Sequence, residues 1–233
     1  ARFVATGQYA AASIGYRLSG EAQWPAQIHD CKAAIRWIRS HAREYGLDAD
    51  RIGIWGSSAG GHLVAMLGTS GDVEAMDGSL GPHADVSSRV KCVVDFFGPT
   101  DLLRMGEMAL PEATFDHDGP QSPESLLLGS PLHDSPEKAD SANPNRYVTP
   151  DDPPMLIVHG TRDLIVPYGQ SQLLHDALNK VGVSSTLISV EGGGHGNNFG
   201  PEVNDLVTDF FAHYLHDKTI PWQDQTVSAV KNQ

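Results

Sequence analysis

The sequence predicts an α/β fold, a mostly parallel sheet with helices on both faces. Three observations carry this reading. Short aliphatic runs of strand length alternate with longer amphipathic segments. The runs are mostly apolar with little alternation, as strands covered on both faces are. Glycine or proline marks most of the junctions between elements. A length of 233 residues suits one domain, read as residues 1–220 followed by a polar tail over 221–233.

Taken in order, residues 9–17 (YAAASIGYR) are small, apolar and partly β-branched between Gly7 and Ser19-Gly20, and they read as a buried strand. Residues 27–45 place Ile28, Cys31, Ile35, Ile38, Ala42 and Tyr45 at spacings of three and four, so an amphipathic crossover helix is expected, with Pro25 at its start and Gly46 at its end. A short strand at 51–55 runs into Gly56-Ser57-Ser58-Ala59-Gly60, and 62–67 has helical composition. Residues 90–97 (VKCVVDFF) and 155–159 (MLIVH) are further strands, one stopped by Gly98-Pro99 and the other entered through Pro153-Pro154. Between them, residues 100–150 are rich in Pro, Ser, Asp and Gly and read as a loop-rich excursion, expected to shape the acyl or alcohol pocket. A helix over 170–181, a strand over 185–190 and a helix over 202–216 complete the alternation, and the tail beyond Pro221 is expected to be loose.

Composition excludes several function classes. No apolar run approaches the roughly 18 to 20 residues that a membrane-spanning helix needs. Acidic side chains outnumber basic ones 29 to 16, a formal net charge of −13, and the basic residues form no stripe, so a nucleic-acid partner is not expected. Two cysteines, Cys31 and Cys92, lie in apolar periodic segments and read as buried thiols. No signal peptide is read at the N-terminus, and no compartment is assigned.

The chemistry lies in the pentapeptide centred on Ser58. In G-x-S-x-G the serine occupies a strained strand-to-helix turn, and small neighbours let the backbone bend there. A strand before it and a helix after it supply that context. Ser57 is set aside because Trp55 and Ser58, not glycines, would then flank it. A serine hydroxyl needs a base within hydrogen-bond reach and a third group to hold that base. His195, in Gly192-Gly193-Gly194-His195-Gly196 before the last helix, is the candidate base; the bland reading is a solvated loop histidine. Asp163, just past the strand end in His159-Gly160-Thr161-Arg162-Asp163, is the candidate acid; the bland reading is a turn-capping aspartate. The chain order Ser, Asp, His agrees with an α/β-hydrolase.

At these residues the chain resembles the α/β-hydrolase superfamily, and within it the carboxylesterases related to hormone-sensitive lipase and to acetylxylan and feruloyl esterases. The resemblance rests on Ile54 to His62 (IWGSSAGGH), Val158 to Asp163 with Val166-Pro167, and Gly194-His195-Gly196. It assigns Ser58 as nucleophile, Asp163 as acid and His195 as base. It also implies that the Ala59 N–H, at the N-terminus of the following helix, is an oxyanion-hole donor. Tyr16, Arg17, Pro25 and Asp30 match the family pattern and read as structural.

Other candidates are discounted. His62 and His159 read as packing histidines. Asp116-His117-Asp118 and the His213/His216 pair lack the spacing of a metal site. No metal and no cofactor is assigned. Asp95 and Asp101 are the alternative acids, Asp101 with a capping role before Leu102-Leu103 as its bland reading.

The family normally carries, upstream of the first strand read here, a further strand and a His-Gly-Gly-type loop with additional oxyanion donors. The sequence holds no such motif. An N-terminally truncated esterase and a natural short variant are both consistent with that, and loss of one oxyanion donor costs on the order of 10²- to 10³-fold in rate. An uncovered strand edge favours pairing, so homo-oligomerisation through the N-terminal sheet region is expected. The expected function is a serine carboxylesterase acting on small, short-chain acyl esters through an acyl-enzyme. The alternatives are a serine peptidase of the prolyl-oligopeptidase type and a hydrolase-like binding scaffold without turnover.

Overall fold

In the computed structural model, which describes residues 2–71 and 73–230, five strands form one sheet in the order β1-β2-β3-β4-β5, each parallel to its neighbour. After a one-turn helix α1 (Arg2–Ala5), α2 spans Ala26–His41. Strand β1 (Gly53–Ser57) leads into α3 (Ala59–Thr69), and a short α4 covers Glu74–Asp77. Strand β2 is Cys92–Phe96. The excursion then winds through α5 (Met105–Met108), α6 (Pro123–Leu128) and α7 (Pro136–Ser141), with 3-10 turns between and after them. Strand β3 (Met155–Gly160), α8 (Gly169–Lys180), β4 (Ser185–Glu191), α9 (Pro201–His216) and β5 (Gln225–Ser228) follow.

Side chains alternate across the central strands and build two cores. Val93, Met155, Ile157 and Leu187 face α2, α3 and α8. Cys92, Val94, Phe96, Leu156, Val158, Ile188 and Val190 face α9, whose Val203, Val207, Phe210 and Phe211 form the covering stripe. Strands β2 and β3 are buried at every position, which is why their sequences are mostly apolar, Asp95 and His159 being the buried polar exceptions. The excursion contributes Leu128, Leu132, Ala139 and Ala142 to the first core. Its irregular composition is thus pinned to the sheet by a few apolar anchors.

Three expectations are corrected. Residues 9–17 form no strand. Residues 10–13 are exposed and contribute little apolar area, while the larger side chains are held locally: Tyr9 packs edge-on to His216, and Arg17 pairs with Asp30 at 2.7 Å. With no neighbouring ladder the segment stays extended but unpaired, and β1 and β5 are the sheet edges among the described residues. The tail, expected to be loose, supplies β5. Val227 is its buried residue, Trp222 packs 5.4 Å from Phe210, and Asp224 accepts the Leu187 N–H at 2.9 Å. One buried residue in a polar stretch is what an edge strand needs, and it leaves little periodic signal.

The helix expected over 27–45 stops earlier, at His41; residues beyond it turn back, with the Leu47 N–H bonded to the Ala42 carbonyl and Gly46 at φ 66°. Cys31 and Cys92 are free and buried, and burial pushes both thiols up to about 12. No helix of the described residues is long and apolar enough to cross a membrane.

Candidate active site

Ser58 stands between β1 and α3 with φ 55° and ψ −122°, a strained conformation for a residue with a Cβ. Its N–H donates to the Phe96 carbonyl at 2.9 Å, which ties the turn to β2. The turn is closed too tightly for side chains at two glycines. A Cβ on Gly56 would lie 2.1 Å from the Gly60 carbonyl oxygen, and one on Gly61 would lie 2.4 Å from Asp95 Oδ1. Gly60, by contrast, faces open space. The steric requirement thus falls on Gly56 and Gly61, not on both glycines of the pentapeptide. Ala59 is the first residue of α3, where first-turn amides lack intrahelical acceptors and the helix dipole is positive.

His195 lies on the loop between β4 and α9. This loop crosses directly over the end of β3: a Cβ on Gly160 would meet the Gly193 and Gly194 carbonyl oxygens at 2.3 and 2.4 Å. Backbone bonds from Thr161 N–H to Val190 and from Arg162 N–H to Gly193, at 2.9 and 2.8 Å, stitch the two loops together. The absence of a Cβ at Gly160 therefore lets the acid and base loops come close.

Asp163 is 1% exposed. Its Oδ1 accepts the Ile165 and Val166 N–H groups at 2.8 and 2.9 Å, and Oδ2 accepts from His195 Nδ1 at 2.7 Å. Burial alone would raise its pKa, but hydrogen bonds from His159, His195 and the Ile165 amide outweigh this and hold the carboxyl well below the usual carboxylate range. With Nδ1–H committed to Asp163, the other ring nitrogen of neutral His195 is an acceptor, and Nε2 lies 2.9 Å from Ser58 Oγ. The three residues singled out from the sequence are thus joined in one hydrogen-bonded line. Such a line can move a proton from the hydroxyl to the imidazole while the carboxylate fixes the ring.

The alternative acids do not reach this line. Asp95 is fully buried, with Oδ1 accepting the Gly98 N–H at 3.0 Å and Oδ2 without a hydrogen-bond partner among the described residues; burial pushes its pKa up to about 7 despite that bond. Asp101 precedes the 3-10 turn Leu102–Arg104, whose Arg104 N–H bonds its carbonyl. His62 is buried and its Nε2–H donates to the Ala142 carbonyl at 2.6 Å, joining α3 to the excursion. His117 pairs with Glu124 and His133 with Asp118, and no group of three or more His, Cys, Asp or Glu among the described residues could hold a metal ion.

Two neighbours of the site were not singled out from the sequence. His159, read there as a packing residue, sets Nε2 3.3 Å from Asp163 Oδ2 and 2.9 Å from the Val166 carbonyl, while Nδ1 meets Ser171 Oγ at 2.7 Å. Phe97, at φ 43°, packs its ring 4.5 Å from that of His195. Adjacency in HGTRD hinted at the first; only the fold brings the second to the site.

Comparison with known proteins agrees with this architecture. The BD-FAE family profile matches residues 1–178, and that of TAP-like protein matches residues 133–227. Esterase LipQ of Mycobacterium tuberculosis is 34% identical over 177 residues, 74% of this chain and 39% of that protein. A solved structure described as a truncated form of carbohydrate esterase from gut microbiota superposes with a TM-score of 0.80 at 39% identity, covering 88% of this chain and 73% of the other. The butyrate-bound structure of esterase Est2 from Thermogutta terrifontis gives 0.67 at 29% identity, covering 88% and 73%. The chain spans about four tenths of the length of the curated relatives it matches. Its five-stranded parallel sheet flanked by helices is an α/β-hydrolase fold, and the chain belongs to the BD-FAE family.

Proposed function

We propose that this chain carries the catalytic centre of a serine carboxylesterase acting on short-chain acyl esters. The observation that carries the reading is the line Ser58 Oγ to His195 Nε2 at 2.9 Å and His195 Nδ1 to Asp163 Oδ2 at 2.7 Å. Ser58 Oγ attacks the ester carbonyl carbon as its proton passes to His195 Nε2. The Ala59 N–H stabilises the oxyanion, the imidazolium returns the proton to the departing alcohol, and an acyl-Ser58 ester remains. Water then attacks that ester with His195 again as base, releasing the acid and regenerating the hydroxyl. Esterase relatives, and a fold neighbour solved with butyrate, support both the reaction class and a small acyl group.

Hydrolysis of p-nitrophenyl acetate, butyrate and octanoate by the chain and by Ser58→Ala tests this. The expected result is turnover that favours the shorter esters and falls at least about 10³-fold in the variant. Equal rates in the two proteins would contradict it. Cleavage of a proline-containing peptide in preference to the esters would favour the peptidase alternative.

Self-association through the β1 edge is proposed as well. Among the described residues β1 pairs only with β2, and Trp55 on it is 51% exposed, touching Phe3 and Phe96. An open edge with an exposed aromatic favours pairing between copies. Sedimentation at micromolar concentration is expected to show a dimer that Trp55→Lys dissociates, and a monomeric parent chain would contradict the proposal.

A further inference from the structure

We propose that Phe97 is a positioning residue for His195: its ring holds the imidazole in line between Asp163 and Ser58 and stabilises the cation formed when the imidazole takes the Ser58 proton. This rests on the catalytic reading of Ser58, Asp163 and His195 given above.

Backbone geometry is the first argument. In β2, Cys92, Val94 and Phe96 face the α9 core, so strict alternation would send residue 97 to the opposite face. Phe97 instead takes φ 43°, in the left-handed region that a bulky residue rarely occupies, and its side chain joins the same cluster as Phe96. Its N–H still donates to the Val158 carbonyl at 2.9 Å, so the departure from strand geometry falls at this one residue. An observed backbone outlier beside a site is a reason to ask what it positions.

The Phe97 ring lands against the imidazole of His195. Its centroid is 4.5 Å from that of His195 with the planes tilted by 55°. Gly196, at φ 72°, seats on the ring edge, since a Cβ there would lie 3.0 Å from Phe97 Cζ. Phe199 closes from the far side at 5.8 Å, edge-on, and Phe97 itself is buried. The ring thus supports both the imidazole and the loop that carries it.

The ionisable side chain bonded to the imidazole is Asp163, from the loop after β3. The Ser58 hydroxyl faces Nε2 from the β1–α3 turn, and His159 on β3 meets the same Asp163 oxygen that accepts from His195. From β2, Asp95 turns its carboxyl to the Gly98 N–H and Gly61, and Phe97, the residue just after that strand, makes the contact with the ring. An aromatic ring within about 6 Å attracts a cation through its quadrupole, and the imidazole becomes a cation only after proton transfer. The contact therefore strengthens as the reaction proceeds.

The test compares the parent chain with Phe97→Leu, which keeps an apolar side chain, and Phe97→Tyr, which keeps the ring. In Phe97→Leu, kcat is expected to fall about two- to fivefold with KM unchanged, and the acid limb of kcat/KM against pH to move down by roughly half a pH unit. Phe97→Tyr is expected to restore both. If Phe97→Leu does not fold, Phe97→Met takes its place. A folded apolar variant with the parent's kcat and acid limb would overturn the proposal and leave Phe97 as core packing. If the chain proves to turn over no ester, the proton signal of the His195 Nδ1–H to Asp163 bond in NMR decides separately. Its loss by exchange in Phe97→Leu but not Phe97→Tyr supports the positioning role, and an unchanged signal overturns it.

Discussion

His159 and Asp163 meet at 3.3 Å, and the carboxylate oxygen they share, Oδ2, is the one that accepts the His195 Nδ1–H at 2.7 Å. Both His159 and Asp163 are fully enclosed side chains. Through Ser171 and the Val166 carbonyl, His159 also fastens the acid loop to α8 and to its own far end. Replacing it by Phe keeps the ring volume but removes the donors and leaves the Val166 carbonyl and Ser171 hydroxyl without this partner. Each such orphaned buried group costs about 1 to 3 kcal/mol. His159→Phe is therefore expected to lower the thermal midpoint and to reduce kcat about tenfold, measured by calorimetry and p-nitrophenyl ester hydrolysis.

Asp163 is held ionised by its partners, with its pKa depressed relative to an unfolded carboxylate. Its contribution to stability is therefore complete above the unfolded value of about 3.9 and is lost as pH falls through the lower folded value. Asp163→Asn frees the other tautomer of His195, so kcat is expected to drop about 10³- to 10⁴-fold while the fold persists at neutral pH. The pH dependence of unfolding below pH 4 is expected to be weaker in the variant than in the parent.

The nucleophile turn separates its glycines. Gly56→Ala and Gly61→Ala drive a Cβ to 2.1 Å from backbone oxygen and 2.4 Å from the Asp95 carboxyl, and both are expected to yield little folded protein or a collapse of activity. Gly60 lies within α3 with open space where its Cβ would go. Gly60→Ala is expected to fold and to gain up to about 1 kcal/mol from helix propensity, read as a higher midpoint in urea.

Asp95 gives a second pH signature, of opposite sign. Burial raises its folded pKa to about 7, so the folded state holds a proton that the unfolded chain releases near pH 4. Stability from this group is present below the unfolded value and is lost as pH rises through about 7. Asp95→Asn is expected to flatten the fall in stability between pH 5 and pH 8, followed by urea unfolding across that range.

The sequence made the central fold legible because β2 and β3 are buried on both faces and their mostly apolar runs carry that burial directly. It made the line of Ser58, Asp163 and His195 legible because Ser58 and His195 lie in glycine-bearing turns and Asp163 follows directly on the end of a buried strand. What it hid follows a common pattern. Residues 9–17 have strand-like composition but find no ladder, and 225–228 find one with a single buried valine; pairing is decided by neighbours that local composition does not encode. Phe97 reads as the end of a strand, and neither its φ of 43° nor its ring contact with His195 is encoded in local composition. The Gly60 and Gly61 roles are exchanged for a similar reason, since Asp95 approaches from a strand more than thirty residues away.

The most direct test of the account is to acid-quench the chain during turnover of p-nitrophenyl butyrate and to locate the acyl group by peptide mass spectrometry. Butyryl ester is expected on Ser58 in the parent chain, none in Ser58→Ala, and slowed acylation in His195→Ala. Ester turnover with no acyl group on Ser58, or with the parent's rate in Ser58→Ala, would contradict it.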